Sequence, residues 1–195
     1  MNADEIVREI TRRSWRFGVA VLLSPEYSVD CGESKVGGFF CSSEMRLVVA
    51  MGSEQDKWLG TLLHEYSHLT QWAEDCAIWQ QDYKMPGGID EWLAGKPCRN
   101  ARAQIEVRRE LEADCERRTI RLIKELQAPI DLDRYTRGAN AYIHFHNVMA
   151  DKRKWYEGGR GPYTRPEVLA VANATLDKDF RKTPAPLRAA LLACI

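Results

Sequence analysis

A chain of 195 residues, 45% hydrophobic and 29% charged, has the composition of a soluble globular protein, ample for one core and short for two independent domains. One domain spanning residues 1–195 is therefore expected. The formal net charge of zero speaks against a function dominated by polyanion binding, and the clusters Arg8, Arg12, Arg13, Arg16 and Lys152, Arg153, Lys154 read as solvated helix faces. Charges run through Met1 to Arg16 where a secretion signal needs an apolar centre, and no apolar run reaches membrane-spanning length, so a cytoplasmic protein with no membrane partner is expected. Cys31, Cys41, Cys76, Cys98, Cys115 and Cys194 lack C-x-x-C spacing and read as reduced thiols.

The first element is a helix from about Ala3 to Arg16, opened by Asn2 as cap with Glu5 three residues on. Phe17 to Leu23, Val36 to Cys41 and Arg46 to Met51 are rich in β-branched, aromatic and apolar residues and are separated by turn formers. They predict a small antiparallel sheet, with the segment around Gly37 to Cys41 at its edge, where an extended peptide can add by main-chain hydrogen bonds. A helix from about Ser53 to Gln80 follows, because Leu59, Leu62, Leu63, Tyr66, Leu69, Ala73, Cys76 and Ala77 recur at three and four. Gln81 to Cys98 carries Met85-Pro86-Gly87-Gly88 and Gly95-Lys96-Pro97, helix breakers that leave a loop around a short Ile89 to Leu93 helix.

A second long helical pattern runs from about Arg99 to Gln127, and a third from Asp131 to Tyr156. Gly158-Gly159-Arg160-Gly161-Pro162 reads as a flexible break, Thr164 with Glu167 as a capping box opening a helix to about Asp177, and Pro184 and Pro186 as the start of a last apolar segment that docks on the core. The fold class is α+β, mainly helical with the sheet packed on the second helix, and the part from about residue 131 is helical.

That second helix carries His64-Glu65-Tyr66-Ser67-His68. Two histidines four apart on a helix stand one turn above the other, close enough for both rings to reach one ion. Glu65 beside them can act as general base toward a metal-activated water without being a ligand. Catalytic zinc sites take three protein ligands, so the third must come from another segment. Glu110-Leu111-Glu112-Ala113-Asp114 lies in the next long helix, and Glu110 and Asp114 share a face. One carboxylate of this pair would ligate the metal while the other accepts the spare N–H of a ligand histidine. Glu106, Glu112 and Glu116 compete for the ligand role, and periodicity does not choose among them.

HExxH on one helix followed by E-x-x-A-D on another resembles the gluzincin zinc metallopeptidases. Gly38-Phe39-Phe40, Leu47-Val48-Val49-Ala50-Met51 and Thr61-Leu62-Leu63-His64-Glu65 are similar in order to the ImmA/IrrE-type cytoplasmic peptidases, over roughly Gly37 to Arg117. The family pattern often has Gly where this chain has Ser67, and Asn where it has Asp114. The resemblance implies a zincin-like fold, Zn2+ on His64, His68 and Glu110, Glu65 as base, and Asp114 behind a ligand histidine. It further implies a narrow regulatory cleavage of a protein or peptide substrate. Related sites add a His or Tyr that stabilises the oxyanion, worth on the order of 3 kcal/mol. Tyr142, His144, His146 and Tyr156 are the candidates, Tyr142 and His144 foremost. His144 and His146 stand about 200° apart on a helix, so at most one faces a cleft.

Two other readings compete. One is a metal-binding zincin-fold interaction protein without peptidase activity, against which the complete motif with Glu65 counts. The other is a zincin acting on nucleic-acid-associated protein, against which the neutral charge counts; nucleic acid is not expected as a direct ligand.

Overall fold

The capping box at Asn2 forms as the sequence predicts. In the computed structural model, which describes residues 1–32, 34–156 and 161–195, helix α1 spans Ala3–Trp15. Asn2 Oδ1 accepts from the Glu5 amide at 2.9 Å, and Glu5 Oε2 accepts from the Asn2 amide at 2.8 Å. Strands β1 (Ala20–Ser24), β2 (Val29–Cys31), β3 (Ser34–Val36), β4 (Gly38–Cys41) and β5 (Arg46–Ala50) follow. Next come helices α2 (Gln55–Ala73), α3 (Ala77–Tyr83), α4 (Ile89–Leu93), α5 (Ala101–Glu125) and α6 (Leu132–Lys152). A single 3-10 turn over Pro162–Thr164 leads to α7 (Pro166–Val171) and α8 (Ala185–Leu192). Among the described residues no helix is long and apolar enough to cross a membrane.

The chain gathers into two compact units, one of Met1–Cys76 with Cys115–Leu132 and one of Ala77–Asp114 with Asp133–Ile195. In the first, β5 lies between β1 and β4. The sheet is mixed where an antiparallel one is expected: β4 pairs antiparallel with β5, but β1 runs parallel to it, Ala20 opposite Arg46. The short turn between β4 and β5 enforces an antiparallel pair. The β2–β3 hairpin, absent from the sequence reading, lies in the longer connection that returns the chain for the parallel one. The most continuously apolar strand takes the centre, with Leu47 and Val49 fully buried. β4 is an edge strand, as its position in the chain suggested.

Helix α2 packs on β4 and β5, and α1 on α2 and β1. Ile6, Ile10, Leu59, Leu62, Leu63 and Leu69 are completely buried, each removing roughly 1.5–3 kcal/mol of apolar surface from water. The expected helix to Gln80 stops at Ala73. Asp75 adopts a left-handed conformation with φ 48°, Cys76 N–H bonds Gln71 O at 3.1 Å, and Asp75 N–H bonds Trp72 O at 2.9 Å. This is a glycine-type helix stop with aspartate in the glycine seat. Its start also differs: Glu54, in place of Ser53, occupies the cap position, and its side chain pairs with Lys57 at 3.0 Å instead of capping the helix.

In the second unit Ile105, Phe145, Val148, Met149, Val168, Leu187 and Leu191 form the core, and α8 docks there as expected. The Thr164 capping box does not form, because the Thr164 hydroxyl donates to Gly161 O at 2.9 Å and α7 opens behind Arg165 with Pro166 in its first turn. α7 ends at Val171, far short of Asp177. Side chains of α6 hold the non-helical stretch that follows: Asn140 Nδ2 donates to Asn173 O and Thr175 O, and Asn147 Nδ2 to Phe180 O. Of the expected Gly158–Pro162 break, residues 158–160 lie outside the described residues.

Gly38 sets how closely α2 sits on the sheet. A methyl there would stand 2.8 Å from both Thr61 Cγ2 and the Val48 carbonyl oxygen. Gly38→Ala should therefore destabilise the protein by about 1–3 kcal/mol in urea unfolding; an unchanged midpoint would show that α2 does not rest on β4 so tightly.

Candidate metal centre on α2 and the C-terminal half of α5

Leu62, Leu63, Tyr66, Ser67 and Leu69 turn into the first unit and are buried, which leaves His64, Glu65 and His68 half-buried on the remaining arc of α2. The two rings meet edge to face with centroids 4.7 Å apart. Across from them runs the part of α5 that belongs to this unit. Its position on α2 is marked by buried hydroxyls: Ser67 donates to Leu63 O at 2.8 Å, and Thr119 Oγ1 lies 2.9 Å from both Ser67 Oγ and the Cys115 carbonyl. Arg118 adds bonds to Thr70 Oγ1 at 3.2 Å and Glu74 at 2.7 Å.

This contact brings Cys115 and Glu116 to His64. Glu116, 5% exposed, places Oε1 3.0 Å from His64 Nδ1. Gln71, completely buried, places Oε1 2.8 Å from His68 Nδ1. A carboxylate and an amide oxygen only accept, so each ring donates from Nδ1. Cys115 Sγ, also completely buried, lies 3.3 Å from His64 O, 3.6 Å from its Nδ1 and 4.0 Å from its Nε2. Candidate donor atoms of His64, His68 and Cys115 all lie within 4.8 Å of one another. Burial is the largest influence on His64 and works against its charge, but Cys115 and Glu116 together outweigh it and hold its pKa well above the ordinary range.

Glu65 keeps its place beside the pair, half-buried. Its carboxylate helps raise the pKa of the Cys31 thiol, after burial and Cys41. The carboxylate on His64 Nδ1 is Glu116, two residues beyond Asp114, the residue expected for such a role. Asp114 and Glu110 fall in the stretch of α5 that belongs to the second unit. There Glu110, its side chain 42% exposed, is bonded by the Arg109 guanidinium at 3.1 and 3.3 Å. Glu106 is exposed and Glu112 buried.

The oxyanion candidates lie in the second unit. His144 is completely buried, donates from Nε2 to Asp177 Oδ2 at 2.9 Å and rests against the Phe180 ring, 4.9 Å between centroids. His146 is 2% exposed with Nδ1 3.1 Å from Tyr142 O one turn back. Tyr142 joins an aromatic group with His146 and Tyr163, and Tyr156 shares a hydroxyl contact of 2.9 Å with Tyr163.

Sequence reading missed Cys115 and Gln71, and weighed Glu116 only as a ligand. The signal available for Gln71 was its position three residues after His68 on one helix. For Cys115 it was a position four residues before Thr119, whose small hydroxyl suits a close helix contact. No family model, curated protein or solved structure matches this chain.

Replacing Glu116 by Ala should weaken zinc binding by about ten- to a hundredfold in calorimetric titration, and unchanged affinity would deny it the orienting role. A second outcome concerns acid. Burial, the largest cause, lowers the pKa of His144 against the pull of Asp177, and burial likewise lowers that of His146. The folded state thus refuses protons that the unfolded chain binds below about pH 6.5. Stability should be insensitive to these groups above that pH and fall below it, by up to about 1.4 kcal/mol per pH unit for each histidine. Urea unfolding between pH 6.5 and 5.5 should show the loss, reduced in His144→Gln; equal losses in both proteins would remove His144 as a cause.

Proposed function

We propose that this chain is a zinc-dependent peptidase of the ImmA/IrrE-like gluzincin kind, working in the cytoplasm, with His64 and His68 as ligands, a third donor from α5, and Glu65 as the base. The observation that carries the reading is the anchoring of both rings at Nδ1, by Glu116 and Gln71, on neighbouring turns of one helix beside the Cys115 sulfur. Ordinary surface histidines need no such buried acceptors. The six cysteines, all free thiols, suit a reducing compartment.

Bound at this position, zinc supplies Lewis acidity to a peptide carbonyl. Glu65 accepts the proton of the attacking water at its carboxylate and delivers it to the amide nitrogen as the C–N bond breaks. β4, the edge strand on which α2 packs, offers main-chain groups to an extended substrate. A protein or peptide substrate cut at few positions, as in regulatory cleavage, accords with the resemblance.

One observation favours a second reading, a metal-binding interaction protein without hydrolysis: the donor set includes a buried thiol, and thiolates are common in structural zinc sites. Glu65 separates the two. With zinc and a peptide library analysed by mass spectrometry, wild-type protein should cleave, and Glu65→Gln should lose activity by about a hundredfold or more while keeping its zinc. Equal cleavage by both proteins would eliminate Glu65 as base, and no cleavage by either would favour the interaction protein.

A further inference from the structure

The donors that surround the two histidines are unequal. Glu116 is engaged at His64 Nδ1 and Gln71 at His68 Nδ1, which leaves them outside the ligand set and behind it. Among the described residues, the further metal-binding atom grouped with both rings is the Cys115 sulfur. Cys115 and Glu116 are consecutive on a helix, about 100° apart around its axis, so they address the His64 ring from two directions, one at Nδ1 and one beside the ring. Both are held there by the next turn of α5, where Thr119 meets Ser67.

We propose that the third protein ligand is the Cys115 thiolate, so that the centre is a two-histidine, one-cysteine site that selects thiophilic divalent ions such as zinc and cobalt over magnesium and manganese. The inference rests on the metal-centre reading above and replaces its carboxylate ligand with sulfur. Donors about 2.0–2.3 Å from one tetrahedral ion stand about 3.3–3.7 Å apart. The 4.8 Å spread of these three therefore closes with side-chain movements of about 1 Å. On binding, the thiol proton, which is directed at the His64 carbonyl 3.3 Å away, passes to solvent and the sulfur carries the negative charge. A thiolate with two imidazoles is a borderline-soft set, and hard ions that prefer oxygen bind it poorly. The sulfur is fully buried, which protects it from reaction and argues against a nucleophilic role beside His64.

Cobalt(II) reports sulfur ligation directly, through a near-ultraviolet sulfur-to-metal charge-transfer band that nitrogen and oxygen donors do not give. Full-length protein titrated with Co2+ should show this band together with visible ligand-field bands. In Cys115→Ser the charge-transfer band should vanish, and Zn2+ should bind at least about tenfold more weakly, since a lost donor costs no less than a lost outer partner. Cobalt bound in a His64-dependent way without the charge-transfer band in wild type would overturn sulfur ligation and leave the metal centre standing, whether or not the serine variant folds. A band that persists in Cys115→Ser would also overturn it, by assigning the sulfur to another cysteine. Absence of any His64-dependent cobalt binding would reject the centre itself.

Discussion

The candidate centre depends on where α5 lies along α2, and that is set by the buried hydroxyls of Ser67 and Thr119. A hydroxyl deep in a helix contact is tolerated only if it is bonded, since burying one without a partner costs on the order of 1–3 kcal/mol. Ser67 answers to Leu63 O, and Thr119 to Ser67 and the Cys115 carbonyl. Sliding α5 by one residue would break these bonds and rotate Cys115 and Glu116 away from His64 together. Ser67 thus has a physical role here: it supplies the oxygen that locates the second helix.

The second unit uses the same device for a different end. Asn140, His144 and Asn147 recur at four and three along α6 and form a polar ladder, the first two buried and the third half-buried. Its rungs bond Asn173 O, Thr175 O, Asp177, Phe180 O and Thr183, fastening a stretch that has no helix or strand bonds of its own. Arg109 reaches Asn147 Oδ1 at 2.6 Å from α5 and ties the ladder to a second helix. Burial of the histidine in this ladder is what depresses its pKa.

What the sequence made legible was local. The Asn2–Glu5 box, the short helix at Ile89–Leu93, the two long helices and the facing of His64 and His68 all follow from neighbours within a turn or two. The parallel pairing of β1 with β5 was not legible, because strand partners are chosen across the fold by burial of the whole sheet. Nor was the stop at Ala73, where Asp75 adopts a backbone conformation that its type permits but seldom takes. At the candidate centre, the motif marked His64, Glu65 and His68 on one arc of α2. The face that α5 presents was hidden, because apolar residues surround much of that helix and its rotation is fixed by the distant Ser67. Glu110 and Asp114 stood out by their spacing, whereas Cys115 and Glu116 stand beside His64 because of packing.

The account turns on whether the two anchored histidines hold a metal. Elemental analysis of purified native protein beside His64→Ala and His68→Ala, each supplied with zinc and then freed of excess, measures this most directly. The account predicts about one zinc per wild-type chain and its loss from both variants. A wild-type chain that remains metal-free, or variants that keep their zinc, would contradict it.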